Sequence, residues 1–382
     1  MNISHTQLII LIIKDIEVEE MKKLFKNRFK KQSSNRSKYL KKRYIGAVTL
    51  LVVAAGALWG LVGCGDMSEE DVVARLTTNL NDNTSYLATG VMEVESEGQI
   101  HRYNVEVGFA QPNYFRVTME NADTGNEQII LKNDDGVFVL TPSLNKQFKF
   151  QSDWPETSSQ VYLIQSLLTD ILNAETTVFE VLDDHYRFTL VADYHANGDL
   201  VEQVINFDRK YLTPSVVVVN DAEGNARLTM QFDSFEWNNE MGENFFVADS
   251  IMELAQDVMG ENVVVAVANV EAALLYPFYT AGADFGTKRA FATTHGERVI
   301  MTWYGEQDFT LIQETARVRD LNGPEVIQGE PVMINGSVGA ITDTTLTWQR
   351  NGVEFFLVSE TLDRDQMITV AASVESQYDT EK

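Results

Sequence analysis

The feature that most constrains this chain is a period-two alternation of apolar and polar residues, which begins at Tyr86 and recurs to near Asp249. Tyr103, Val105, Val107 and Phe109 alternate with Asn104, Glu106 and Gly108, and Phe115, Val117 and Met119 alternate with Arg116, Thr118 and Glu120. This period puts alternate side chains on opposite faces of a strand, so each segment predicts a strand with one wet and one apolar face. Ile129 and Leu131, Phe138 and Leu140, and Phe148 and Phe150 continue the rhythm. After an interruption it resumes with Tyr186, Phe188 and Leu190, then Val201, Gln203, Ile205 and Phe207, Val216 to Val219, and Leu228, Met230 and Phe232. Turn residues stand between the segments: Gln111-Pro112-Asn113, Asp123-Thr124-Gly125-Asn126, Asn133-Asp134-Asp135-Gly136 and Asn197-Gly198. The pattern predicts an antiparallel meander of about ten strands.

Two helical patterns frame it. Ser68 with Asp71 three residues on reads as an N-terminal cap, followed by Val73, Leu76 and Leu80. In the interruption, Ile164, Leu167, Leu168, Ile171 and Leu172 form one apolar stripe.

The front of the chain predicts an address. Cys64, the only cysteine, closes Leu61-Val62-Gly63-Cys64 after a mostly apolar run from Tyr44, itself preceded by Lys41-Lys42-Arg43. A basic flank, an apolar core and small residues before a cleavage point read as a signal peptide. Leu-Val-Gly-Cys resembles a bacterial lipobox, which implies lipidation of Cys64 and attachment to the outer face of the cell membrane. The alternative is an uncleaved membrane-spanning helix. Both place the bulk of the chain outside, because the basic residues stay on the cytoplasmic side. Residues 1–43 read as a cytoplasmic lead or a mis-assigned start, with Met21 opening a segment that holds eleven Lys and Arg and no acid up to Arg43.

Of 30 Lys and Arg, 12 precede Cys64, against 4 of 56 Asp and Glu, which leaves a net charge of −34 after it. Such a surface repels nucleic acid. A single cysteine permits no intramolecular disulfide and no Cys-based zinc site. His101, His185, His195 and His295 are isolated, and no nucleophile elbow or phosphate-cradling loop occurs. We therefore expect no catalytic residues, no metal site and no cofactor. Thr280 to Gly286, the nearest glycine cluster, reads as a surface loop.

Past residue 250, a helical pattern through Met252, Leu254, Ala255 and Val258 leads to further strands at Val299–Tyr304, Phe309–Glu314 and Val332–Ile334. A hairpin turning at Asn351-Gly352 follows, and then a helix capped by Asp363 and Gln366 with Met367, Val370, Ala371 and Val374 inward.

Pro112-Asn113-Tyr114-Phe115-Arg116, Asp135-Gly136-Val137-Phe138 with Pro142, Tyr162-Leu163-Ile164 and Asn197-Gly198-Asp199-Leu200 occur in an order that resembles the LolA/RseB lipoprotein-carrier superfamily. The C-terminal run Leu346 to Leu357 resembles a module of Gram-positive membrane-anchored lipoproteins linked to sporulation and germination. The resemblance implies an α+β, mostly β fold: an unclosed, curved antiparallel half-barrel with a helical lid over residues 66–250, plus a smaller α+β C-terminal domain over 251–375. Residues 44–64 are then the signal segment and 376–382 a tail. It also implies a concave apolar face that holds a lipid or acyl chain, or a protein partner. The chain departs from the carrier at Gln111, where the carrier has the arginine that latches its lid.

A curved sheet under two short helices has more apolar face than lid, which predicts an interior cavity. The candidate lining residues are Val107, Phe109, Phe115, Val117, Ile130, Phe138, Phe188 and Ile205. The alternative is a filled core and an adaptor that holds a protein partner, such as a cell-wall enzyme or an anti-sigma factor.

Substituting Cys64→Ala is expected to leave a slower-migrating precursor that takes up no radioactive palmitate. A variant still labelled and processed would refute the anchor.

Overall fold

The computed structural model describes residues 66–96, 98–151, 160–191, 200–259, 274–293, 296–317 and 323–376. Cys64 with its lipobox, the Asn197-Gly198 turn and the tail beyond 376 lie outside them.

Helix α1 (Glu69–Asp82) starts at Ser68, whose side chain accepts from the Asp71 backbone while Asp71 accepts from the Ser68 N–H, the capping box read from the sequence. Six strands then run as a meander: β1 (Ser85–Ser96), β2 (Gln99–Ala110), β3 (Tyr114–Asn121), β4 (Glu127–Asn133), β5 (Gly136–Thr141) and β6 (Lys146–Phe150). Helix α2 (Ile164–Asn173) intervenes. A second meander follows with β7 (Thr177–Val181), β8 (His185–Val191), β9 (Leu200–Asp208), β10 (Pro214–Asp221) and β11 (Ala226–Trp237). The first and last strands pair, β1 with β11, so both meanders join into one antiparallel sheet whose outer strands are β6 and β7. These two edges do not pair, and the sheet is an unclosed half-barrel.

That order dictates where α2 lies. The link from β6 to β7 runs from one edge of the sheet to the other, and α2 crosses the face on the way. Its stripe of Ile164, Leu167, Leu168 and Ile171 is buried in the same core as Val72, Val73 and Leu76 of α1. The opposite face of β4 and β5 is covered as well. Ile251 and Met252 of α3 (Ala248–Met259) pack on Ile129, Leu131, Phe138 and Leu140. The helix expected to link two domains thus lies against the half-barrel, with Leu254 turned to solvent.

The C-terminal unit has β12 (Leu275–Pro277), β13 (Asp284–Thr293), β14 (Gly296–Tyr304), β15 (Phe309–Thr315), β16 (Glu325–Ile327), β17 (Glu330–Ile334), β18 (Ser337–Ile341), β19 (Thr345–Arg350), β20 (Val353–Val358), helix α4 (Arg364–Ala372) and β21 (Val374–Ser376). Seven strands form its sheet in the order β13-β14-β15-β20-β19-β18-β17. Met367, Val370, Ala371 and Val374 are buried in its core as the spacing predicts, and Asp363 with Gln366 forms a capping box. The expected surface loop at Thr280 to Gly286 runs instead into β13, where Gly286 sits at a register shift between Phe285 and Thr287. Exposure on both faces leaves β13 without an apolar period to read.

The two units are joined at several points. Strand β16 leaves the C-terminal unit and pairs in parallel with β6, becoming the twelfth strand of the half-barrel sheet. The β17–β18 turn, Asn335-Gly336, docks on β2, where the Tyr103 hydroxyl donates to the Asn335 carbonyl at 2.7 Å. Gly336 has φ +81°, and a Cβ there would stand 2.4 Å from the Tyr103 ring, so both conformation and clearance require glycine. The Gln128 side chain accepts from the Val338 N–H at 2.7 Å and donates to its carbonyl at 3.3 Å. Lys146 of β6 forms a buried ion pair with Glu354 of β20.

Removing one partner from a buried pair strands the other charge, at a cost of about 3–5 kcal/mol, whereas an apolar replacement of both is close to neutral. Lys146→Met is therefore expected to lower the denaturation midpoint strongly, and adding Glu354→Leu to restore most of the loss. Additive losses in the double variant would show that the pair is not coupled.

Candidate functional site

The face of the half-barrel beneath α1 and α2 is where the sequence places its binding residues. Val107, Phe115, Val117, Ile130, Phe188 and Ile205 meet there in one buried core, with the partly buried Phe109 packed against it. Phe138 does not join them. On β5, Val137 and Val139 face the lid while Phe138 faces α3 on the other side of the sheet. Strands β4 and β5 are apolar on both faces, through Ile129-Ile130-Leu131 and Val137 to Leu140, so their phase is not legible from hydrophobicity alone.

The lid side is packed closely. Val107, Ile130, Phe188 and Ile205 have 0% of their surface exposed, and Val117 has 1%. A side chain without accessible area leaves no water-sized gap beside it, so an acyl chain would reach these residues only by displacing what covers them. Tyr86 anchors the cover. Its ring stacks on Phe109 and Phe235 at 5.3 and 4.8 Å and meets the edge of Trp237 at 5.8 Å. Its hydroxyl donates to Gln165 Oε1 of α2 at 2.8 Å, and burial raises its pKa well above the ordinary tyrosine value. The Gln111 side-chain amide donates to the Asn83 carbonyl at the end of α1, 3.2 Å away.

The lid also buries polar groups that the sequence reading did not single out. Gln203 of β9 is fully buried near Asp170 of α2, and neither the Gln203 amide nor Asp170 Oδ2 makes a hydrogen bond of full geometry, nor does the Tyr162 hydroxyl just ahead of α2. Gln203 was visible as the one polar residue in phase with Val201, Ile205 and Phe207. Asp170 and Tyr162 gave no such sign. Burial pushes the Asp170 carboxyl up to about 6, and the nearby Gln203 amide partly offsets the rise.

A cavity of about 50 Å³ lies at the joint between the units, lined by Tyr103, Asn121, Glu127, Gln128, Ser337 and Arg350 among others. Burial raises the Glu127 pKa there, ahead of the opposing influence of Arg116.

A raised carboxyl value means that the fold binds the Asp170 proton more tightly than the unfolded chain does. Stability therefore falls as pH rises from about 4 through about 6, by at most roughly 3 kcal/mol. Asp170→Asn removes the charge and keeps the shape. Thermal melts should show it more stable than the parent at pH 7.5, with the gain vanishing near pH 4; an equal gain at both would exclude a charge effect.

Comparison with known proteins gives a family. The family model described as sporulation protein YdcC-like matches residues 41–246. Sporulation protein YdcC of Bacillus subtilis (strain 168) is 37% identical over 329 residues, covering 86% of this chain and 96% of that relative. Among solved structures, the MucA/MucB complex of Pseudomonas aeruginosa is similar at 14% identity and a TM-score of 0.31, over 80% of this chain and 98% of the other. A putative outer membrane lipoprotein-sorting protein domain from Vibrio parahaemolyticus is similar at 10% identity and a TM-score of 0.28, over 47% and 97%. These scores are low, and the half-barrel assignment rests on the strand order itself. By the extent of the family match and the identity to its Bacillus relative, the chain belongs to the YdcC-like sporulation protein family.

Proposed function

We propose that this protein is a non-enzymatic adaptor of sporulation, anchored through Cys64 to the outer face of the cell membrane, whose joined half-barrel and C-terminal unit hold a protein partner. The observation that carries this reading is the filled lid side, where the nominated pocket residues Val107, Ile130, Phe188 and Ile205 have no accessible surface. The joint supports it too, because a parallel strand pair and a buried ion pair suit a scaffold of fixed shape.

A second reading has one observation in its favour. The incompletely bonded Gln203, Tyr162 and Asp170 groups at α2 would be relieved if the helix swung out, and the apolar face would then accept a lipid or acyl chain.

Native mass spectrometry of residues 65–382, purified without detergent and compared before and after organic extraction, separates the two. A bare polypeptide mass is the expected result. An extractable mass of several hundred daltons that fragments as a lipid would overturn the adaptor reading in favour of the second.

A further inference from the structure

Resting on the adaptor reading, we propose that the free edge of β13 takes up an extended, acidic segment of the partner protein as an eighth strand of the C-terminal sheet. Strand β13 is the outermost strand of its sheet, paired with β14 on one side only. Nine of its ten residues are exposed, so both faces and the free edge meet solvent. The other edge of the same sheet, β17, is by contrast largely covered. A free edge carries a row of unpaired N–H and C=O groups, which is the template for strand addition.

Its side chains specify the chemistry. Lys288 and Arg289 stand at the middle of β13, pointing to opposite faces, and neither meets a carboxylate among the described residues. Free cations are notable in a chain with a net charge of −26. Lysine alone is a common guard against edge pairing, and on β13 aromatic rings accompany the two cations. Here Phe285 and Phe291 near the two ends are 52% and 46% exposed, and Tyr304 on β14 is 54% exposed. The Tyr304 ring lies over the register shift at Gly286, where a Cβ would stand 2.1 Å from it. Basic centre and aromatic ends together suit an extended segment bearing acidic and apolar residues.

Charge also argues against a second copy of this chain as the occupant. Antiparallel pairing of β13 with itself about a two-fold near the strand centre sets Lys288 against Lys288, or Arg289 against Arg289, of the other copy. Like charges directly opposite destabilise a strand pair.

The test uses the full chain in mild non-ionic detergent and fluorescein-labelled ten-residue probes read by fluorescence anisotropy. One probe alternates Glu with Val, a second alternates Lys with Val, and a third carries Pro at alternate positions of the acidic sequence. The acidic probe is expected to bind and to slow amide exchange across residues 284–293, while the proline probe does not bind. Lys288→Glu with Arg289→Glu should weaken the acidic probe at least tenfold and create binding of the lysine probe, a gain that a misfolded variant could not produce. The proposal falls if the acidic probe binds nowhere, ignores the charge reversal, or tolerates proline. It falls equally if the same reversal abolishes a dimer, or abolishes binding to phosphatidylglycerol vesicles, while leaving the acidic probe unaffected. Failure here alongside a bare mass in native spectrometry removes this edge and leaves the adaptor reading standing.

Discussion

The half-barrel depends on one topological requirement. Because β1 pairs with β11, the strands on either side of the long β6-to-β7 link stand at opposite edges of the sheet. The chain must cross an apolar face to get from one to the other, and a crossing with exposed backbone would leave buried peptide groups unpaired. A helix solves this by satisfying its own backbone, and the stripe on α2 turns the crossing into a cover. The filled lid side follows from that, as does the cover's cost. Asp170 Oδ2, the Gln203 amide and the Tyr162 hydroxyl are carried into an interior where their hydrogen bonding is incomplete.

The C-terminal unit depends on the half-barrel in turn. A strand lent to the β6 edge, a glycine turn seated against Tyr103, and Gln128 bridging the Val338 backbone tie one sheet to the other. The edge strand β6 would otherwise expose an unpaired ladder, and β16 covers it. The same device is not applied at β13. An edge covered at one place and displayed at another is consistent with a scaffold whose interaction surface lies on its second unit.

Much of the architecture was legible because local chemistry and tertiary burial agree. Ser68 with Asp71 and Asp363 with Gln366 cap helices where their spacing places them, and Asn351-Gly352 turns the β19–β20 hairpin. Tyr103, Val105 and Val107 face inward as their alternation requires. Legibility failed where a strand is buried on both faces or on neither. Phe138 has apolar neighbours on both sides in sequence, so its facing is set by α3 packing beneath it. Strand β13 buries nothing regularly, so its first residues, Asp284 to Gly286, read as loop. Leu254 fits a helical stripe, yet α3 presents Ile251 and Met252 instead.

The sequence by itself determined that no intramolecular disulfide can form, the mostly β class, the helix caps and the phase of strands with one wet face such as β2 and β3. These are local properties, set by residue type and spacing within a few positions. Only the tertiary structure decided that the lid side is filled, that β16 crosses to the neighbouring sheet, that Lys146 meets Glu354 and that Gln203 lies sealed under α2. Those outcomes join residues far apart in the chain, and burial depends on what lands opposite a side chain, which no local period records.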